Sequence, residues 1–474
     1  MIHFDPMELA GWCGGQWQGP PPEAISGVGN DSRVIQRGHL YVALRGERLD
    51  GHDFVKDAQL RSAGGALVDR AYAASASASA VAEGPPLLVV EDTARALVDV
   101  ARGHRARCQG EFIGITGSVG KTSVKEMTAD VLAAFGGVAR TPENWNNHIG
   151  LPLSLLRMQP TDRFGVFEVG MNHPGELAPL CDLLQPSRAI MTPIGPGHLE
   201  FFGSIDAIAE EKATLLESLP EEGTAILSLD DPWYGQLMKH VHSRVIRISL
   251  QNEEADYYGE RDPDTHDLLW VHERASRSAH RYRMPLPGQY VADNALRAIA
   301  MGRECGLDPD VIAHAVVRYQ TLSMRWNKVR IAGIDFINDA YNANPMSMRA
   351  ALNALQEWPV NKRKWLVLAG MFELGATEQV EHEALGHYLA QFLWAGVVTV
   401  GRLGQLIAQG AIESGATDRY TVQTCTDRWE AADCLEGQLS AGDIVLVKAS
   451  RGEKLEDVLY RFEDLKAPKH EALL

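Results

Sequence analysis

The segment Gly114-Ile-Thr-Gly-Ser-Val-Gly-Lys-Thr-Ser123 sets two glycines, a lysine and a threonine hydroxyl where a phosphate chain could be held. An apolar run, Phe112–Thr116, precedes the loop. Val124, Met127, Val131, Leu132 and Phe135 follow it at helical spacing. Strand, glycine loop and helix N-terminus predict a cradle of backbone N–H groups, reinforced by the helix dipole. Gly117 and Gly120 let the backbone approach phosphate closely, and Ser118, Val119 and Ser123 complete the expected contacts. Lys121 can reach the β- and γ-phosphates, and the Thr122 hydroxyl can ligate magnesium. The strict pattern has glycine six places before the lysine, where this chain has Ile115. The alternative is an ordinary glycine-rich turn, but Gly-Lys-Thr between a strand and a helix favours a bound nucleotide. A guanine-reading Asn-Lys-x-Asp is absent, because Asn327-Lys328 continues as Val-Arg.

Three further residues could serve metal chemistry. Glu168 stands inside the apolar run GVFEVG (165–170), where a carboxylate is costly to bury unless it is paired or bound to a metal. A core-edge glutamate is the alternative. His198 follows the apolar run RAIMT (188–192) in a glycine-rich loop, the kind of position where open α/β sheets bind ligands. Lys212 lies on an expected helix fourteen residues later. Alone, His198 reads rather as a surface or structural histidine, and Lys212 as a solvated surface lysine.

The surrounding elements form an α/β rhythm. The runs GVFEVG, RAIMT and TAILSL (224–229) predict buried parallel strands in the middle of the chain. KWLVLAG (364–370), GVVTVG (396–401) and DIVLVKAS (443–450) predict the same in its last third. PGQYVADNALRAIAMGRECG (287–306) and SMRAALNAL (347–355) read as helices. HLYVAL (39–44) and PLLVV (86–90) predict short strands near the start, and Ala71–Ala82 reads as an insertion or a short Ala-rich helix with a loop. The length of 474 residues suits three domains. We expect a smaller α/β N-terminal domain over 1–108, a central P-loop domain with a parallel sheet over 109–322, and a Rossmann-like domain over 323–474.

Composition narrows the partners. A net charge of −17 argues against a nucleic-acid backbone as the main partner, while leaving room for anionic small molecules at a local basic site. The six cysteines show no C-x-x-C pair, which fits neither a zinc site nor a disulfide framework. The start, MIHFDPMELAGW, lacks a basic region followed by an apolar stretch, and no run of ~18 apolar residues occurs. No membrane insertion is expected, and the cytoplasm is the expected location.

The motifs together resemble the Mur ligases of peptidoglycan synthesis. Asp31-Ser-Arg33 and GHLYVALRGERLDGHDF (38–54) are similar to that family's uridine-nucleotide domain. TGSVGKTS, ENWNNHIGLPLSLL (143–156), EVGMNHPGEL (168–177) and GHLEFFGSIDAIAEEKATLL (197–216) follow its ATPase domain in order. NDAYNANPMSMRAAL (338–352), with Tyr341, Asn342 and Asn344, resembles the branch that adds D-alanyl-D-alanine, and the Asp-Asn-Pro-Arg of the diaminopimelate-adding branch is missing. The resemblance implies that Thr122 and Glu168 hold one magnesium ion on the ATP phosphates. It implies a second ion on Glu168, His198 and a carbamylated Lys212. Asn294 and Asp339 would contact the adenosine, and Arg325 the phosphates. Ser32 and Arg33 would contact the uridine nucleotide, and Asn146 and Asn147 the muramoyl substrate. The chain departs from the family pattern at Val119, at Pro193, at Ser228-Leu-Asp-Asp231 and at Lys448-Ala-Ser-Arg451.

The implied activity is ATP-dependent amide-bond formation. A carboxylate of UDP-N-acetylmuramoyl-tripeptide would be phosphorylated and then attacked by the amine of D-Ala-D-Ala, by an enzyme acting as a monomer. The rivals are a sister ligase or a folylpolyglutamate-type synthetase using another amine, and a nucleotide-binding module without catalysis. Asp31-Ser-Arg33 argues against the folate reading, and the Glu168, His198 and Lys212 set argues against a module without chemistry.

Overall fold

A computed structural model of the chain describes residues 2–75, 84–358 and 362–467. Three sheets follow one another along the sequence. The first holds β1 (Gln16–Gln18), β2 (Val28–Gly29), β3 (Leu40–Val42), β4 (Gly65–Asp69) and β5 (Leu87–Val90), in the order β1-β5-β4-β3-β2. It is parallel apart from β1, which runs antiparallel to β5. The Ala-rich stretch begins as a helix, Arg70–Ser75. Its remainder from residue 76 to 82 lies outside the described residues.

The second sheet holds nine strands: β6 (Glu111–Thr116), β7 (Val138–Arg140), β8 (Phe164–Glu168), β9 (Arg188–Met191), β10 (Thr224–Ser228), β11 (Arg244–Ser249), β12 (Tyr257–Arg261), β13 (Leu268–Glu273) and β14 (Ser278–Arg283). Their order is β14-β13-β12-β11-β10-β9-β6-β8-β7. Strands β6 to β12 pair in parallel, and β13 and β14 add an antiparallel edge. The parallel core strands are largely apolar and buried on both faces, as in β8 and β10, with Glu168 the charged exception in β8. By contrast β12, β13 and β14 alternate between buried and exposed residues and were not expected from the sequence. Their inner residues Tyr257, Leu269, Val271 and Tyr282 pack on the long helix Gln289–Glu304. Only one face is apolar, so these strands lack the continuous runs that mark their buried neighbours.

The third sheet holds β15 (Asn327–Ile331), β16 (Ile334–Asn338), β17 (Lys364–Leu368), β18 (Gly396–Val400), β19 (Thr421–Cys425) and β20 (Ile444–Lys448), in the order β15-β16-β20-β17-β18-β19. All pairs are parallel except the β15–β16 hairpin. Helices cover both faces, giving two apolar layers on either side of the sheet. The architecture is therefore three-domain α/β, with the parallel sheets of the second and third domains as the frame for chemistry.

Candidate active site

In the second sheet β6 lies between β8 and β9, so the chain crosses over β6 on its way from β8 to β9. The loops after these three strands open at one carboxyl edge, where such sheets bind ligands. The loops after β16, β17 and β20 of the third sheet converge on the same place. A cavity of about 550 Å³ lies between them, bordered by residues 118–123, Glu168 and His198 on one side and Asp339, Tyr341, Glu373 and Lys448 on the other. The two domains touch across it: a Cβ on Gly195 would fall 2.5 Å from Met346 Cε.

The glycine loop leaves β6 with Gly117 at φ +146°, and a Cβ there would fall 2.0 Å from Thr192 Oγ1. No larger residue fits against β9 at that point. The helix Lys121–Leu132 starts from Gly120 at φ +86°, with no side chain capping its first turn. Its free N–H groups therefore face the cavity, the arrangement that attracts anions. Lys121 Nζ donates to Gly117 O at 2.8 Å and curls over the loop. Burial pushes its ammonium below the ordinary lysine value. Glu168 opposes that shift and Arg325 adds to it.

Glu168 ends β8 beside Ile115 of β6 and is 2% exposed. Its Oε2 accepts from Thr122 Oγ1 and its Oε1 from Asn146 Nδ2, both at 2.8 Å. Both hydrogen-bond partners are neutral, and the cations that act on this buried carboxylate are the lysines Lys121 and Lys212. Hydroxyl and carboxylate oxygens side by side form a hard-oxygen pair of the kind magnesium takes. Lys212 is buried in the helix Ile205–Glu217, against the reading of a solvated lysine. Desolvation first, and then the charge of Lys121, push its ammonium well below the ordinary value, with Glu168 and Glu211 opposing. It does not border the cavity itself. His198, in the left-handed conformation at φ 63°, sits with Nδ1 2.5 Å from Glu373 Oε2.

The remaining expected residues divide. Asn294 borders the cavity, and its buried Oδ1 has no hydrogen-bond partner, so an acceptor is on offer to a ligand. The Arg325 guanidinium stacks 4.0 Å from the Tyr341 ring centre. Asp339 accepts from Trp326 N at 3.0 Å and from Lys448 Nζ at 2.6 Å. Asn146, Asn147, Asn342 and Asn344 all border the cavity, yet Asn147 Oδ1 also accepts from Gly150 N at 2.8 Å and Asn344 caps the helix Pro345–Gln356. Ser32 and Arg33 lie in the first domain, away from this cavity. Ser32 is buried, and the exposed Arg33 pairs with Asp31 at 2.7 Å.

Pro193, a departure from the expected pattern, and Asp231, which keeps to it, are structural. Pro193 O accepts from Ser118 N at 2.9 Å, and Asp231 holds Ile194 N at 3.0 Å, so both brace the loop after β9. Two supporting groups escaped the sequence reading. Lys125 is fully buried and donates to Thr141 O at 2.5 Å, and Thr141 Oγ1 accepts the Glu168 N–H at 2.9 Å. A lysine between Val124 and Met127 on a buried helix face was the available signal. Glu373 follows β17 in a strand-end loop, the same kind of position that singled out His198.

Known proteins resemble the chain along almost its whole length. Residues 24–105 match the model described as Mur ligase family, catalytic domain; 115–302 match the Mur ligase middle domain; and 324–451 match the Mur ligase glutamate ligase domain. The UDP-N-acetylmuramoyl-tripeptide–D-alanyl-D-alanine ligase of Bacillus subtilis is 33% identical over 440 residues, 92% of each chain. MurF from Acinetobacter baumannii superposes with a TM-score of 0.83 at 28% identity, covering 98% of this chain and 99% of that one. MurF ligase from Thermotoga maritima in complex with ADP does so with a TM-score of 0.76 at 25% identity, covering 92% and 97%.

Proposed function

The chain belongs to the Mur ligase family, and we propose that it joins D-alanyl-D-alanine to UDP-N-acetylmuramoyl-tripeptide at the expense of ATP, in peptidoglycan precursor synthesis. The observation that carries the reading is the single cavity shared by the phosphate loop and the Tyr341–Asn344 loop. Three units divide the work: residues 1–108 hold the uridine nucleotide through Ser32 and Arg33, 109–322 hold ATP, and 323–474 receive the amine and the adenosine.

A carboxylate and an amine do not condense in water at neutral pH, so the carboxylate must be activated. Its oxygen attacks the γ-phosphorus, the bond to the β-phosphate oxygen breaks, and ADP leaves. The amine then attacks the acyl carbon, a proton is lost from nitrogen, and phosphate departs with the bonding electrons. Lys121 and the backbone N–H groups of Gly117–Ser123 balance the charge that gathers on the transferring phosphoryl group. Asn294, Arg325 and Asp339 hold the nucleotide. Asn146, Asn147, Tyr341, Asn342 and Asn344 orient the two substrates in the cleft between the domains, and shielding the acyl phosphate there from water favours the amine over hydrolysis.

One magnesium ion would be held by Thr122 and Glu168, and a second by Glu168, His198 and Lys212; their chemistry is to neutralise phosphate charge during transfer. Among the described residues no group of three or more His, Cys, Asp or Glu is arranged to hold a metal. A second ion therefore needs an anionic ligand from elsewhere. Lys212 would supply it as a carbamate, which its burial favours because only the neutral amine reacts with carbon dioxide. The cytoplasm, where ATP and nucleotide-linked precursors are made, is the matching compartment. The test is phosphate release with UDP-muramoyl-tripeptide and ATP. D-Ala-D-Ala should support it far better than diaminopimelate, L-lysine or D-glutamate, and a clear preference for a single amino acid would reassign the acceptor.

A further inference from the structure

D-Ala-D-Ala reacts through its amine and keeps its terminal carboxylate throughout. Drawing that carboxylate into a cleft is costly unless a cation meets it. Among the described residues, the lysines and arginines bordering the cavity are Lys121, Arg325, Lys448 and Arg451. In the proposed reaction Lys121 and Arg325 serve the nucleotide. Lys448 is 3% exposed and already donates to Asp339 Oδ2 at 2.6 Å and to Asn342 O at 3.1 Å. Arg451, on the third-domain wall, has a side chain 54% exposed.

The fold aims this guanidinium. Ser450 ties the backbone before it to two loops of the cavity, donating through Oγ to Ala343 O at 3.2 Å and accepting from Phe372 N at 3.0 Å. Glu456, 6% exposed, holds Nη1, and Met324 Sδ lies 3.5 Å from the same nitrogen. The Nε–Nη2 edge has no partner among the described residues. Such an edge takes a carboxylate through two parallel hydrogen bonds. Gly452, the next residue, lets the Phe372 ring come close, since a Cβ there would fall 2.4 Å from Phe372 Cε2. Phe372 borders the cavity and is 39% exposed, an apolar face that a methyl group can cover. We propose that Arg451 takes the terminal carboxylate of the incoming dipeptide, with the terminal methyl group against Phe372. The proposal rests on D-Ala-D-Ala being the acceptor. It also gives a reason for a dipeptide: a single alanine on the same anchor leaves its amine one residue, about 3.5 Å, short of the acyl carbon.

The test compares D-Ala-D-Ala with D-alanyl-D-alaninamide, its uncharged terminal amide, as acceptors for the full chain with ATP and UDP-muramoyl-tripeptide. Phosphate release is the readout. Wild type should prefer the acid by about tenfold or more in kcat/KM. Arg451→Ala should raise KM for D-Ala-D-Ala by a similar factor, leave KM for ATP unchanged, and use acid and amide equally well. Arg451→Lys, which keeps the charge and loses the fork, should recover part of the preference. If Arg451→Ala melts early because Glu456 is left unpaired, Arg451→Ala combined with Glu456→Gln carries the same expectation. Variants that keep the wild-type preference for the acid would overturn the proposal, as would a wild type indifferent to the amide. An equal rise in KM for ATP and for the acceptor would also overturn it, by showing a general loss of structure. A wild type that releases no phosphate with D-Ala-D-Ala would overturn the acceptor reading beneath it, and the proposal with it.

Discussion

Thr122 Oγ1 and Glu168 Oε2 meet at 2.8 Å, joining the first turn of the phosphate-loop helix to the end of the neighbouring strand β8. Two hard oxygens are thus held together before any cation arrives, and the backbone around them is fixed by Thr141. Glu168→Gln keeps the shape and removes the charge. It should raise the magnesium concentration needed for half-maximal activity and lower kcat by about a hundredfold or more, with little change in melting temperature. An unchanged magnesium requirement would remove Glu168 from the metal site.

Lys121→Ala removes a cation from the phosphate loop and no core surface. Ligation should fall by about a hundredfold or more while the circular dichroism spectrum stays that of wild type. Near-normal turnover would contradict the loop assignment.

Lys212 is expected to act as a carbamate. Lys212→Ala should cost about a hundredfold in rate, and Lys212→Arg should do no better because guanidinium keeps the wrong charge. Thorough removal of carbon dioxide and bicarbonate at mildly acidic pH should silence the enzyme, and re-addition should restore it. A fully active Lys212→Arg enzyme would end the idea.

Lys125 is a structural cation under the 141–147 loop. Lys125→Met leaves the Thr141 carbonyl without its donor and should destabilise the fold by about 1–3 kcal/mol, measured by urea denaturation. A change near zero would mean that the loop finds another donor.

His382 accepts the Met371 N–H through Nε2 and donates to Glu378 O through Nδ1 at 2.5 Å, so it must be neutral in the folded state. Burial lowers its pKa, with Glu378 opposing and Arg402 assisting. Its contribution to stability is present above the unfolded value of about 6.5 and is lost as the pH falls through the lower folded value. Subtracting the stability curve of His382→Gln from that of wild type should give a difference that declines over that window and is flat above it.

The phosphate loop and the parallel strands were legible because their signals are local. A lysine and threonine after glycine, or an unbroken apolar run, reads the same in any context. Glu168 also stood out, since a carboxylate in such a run is costly. The edge strands β12 to β14 were not legible, because one-sided burial leaves alternating sequences that resemble loops until a helix is packed on them. Lys125 and Glu373 were missed for a related reason. Their partners, Thr141 O and His198, are far away in sequence, and only the assembled sheets bring them within reach. The buried setting of Lys212 was likewise invisible in Ala-Glu-Glu-Lys-Ala-Thr, which reads as a solvated helix face.

The central claim is that the tripeptide carboxylate itself takes up the γ-phosphoryl group. UDP-muramoyl-tripeptide labelled with oxygen-18 in that carboxylate tests it most directly, by mass spectrometry of the phosphate released during ligation of D-Ala-D-Ala. If an acyl phosphate forms and loses its phosphate to the amine, each phosphate carries away one labelled oxygen. Ligation that releases unlabelled phosphate would contradict the account.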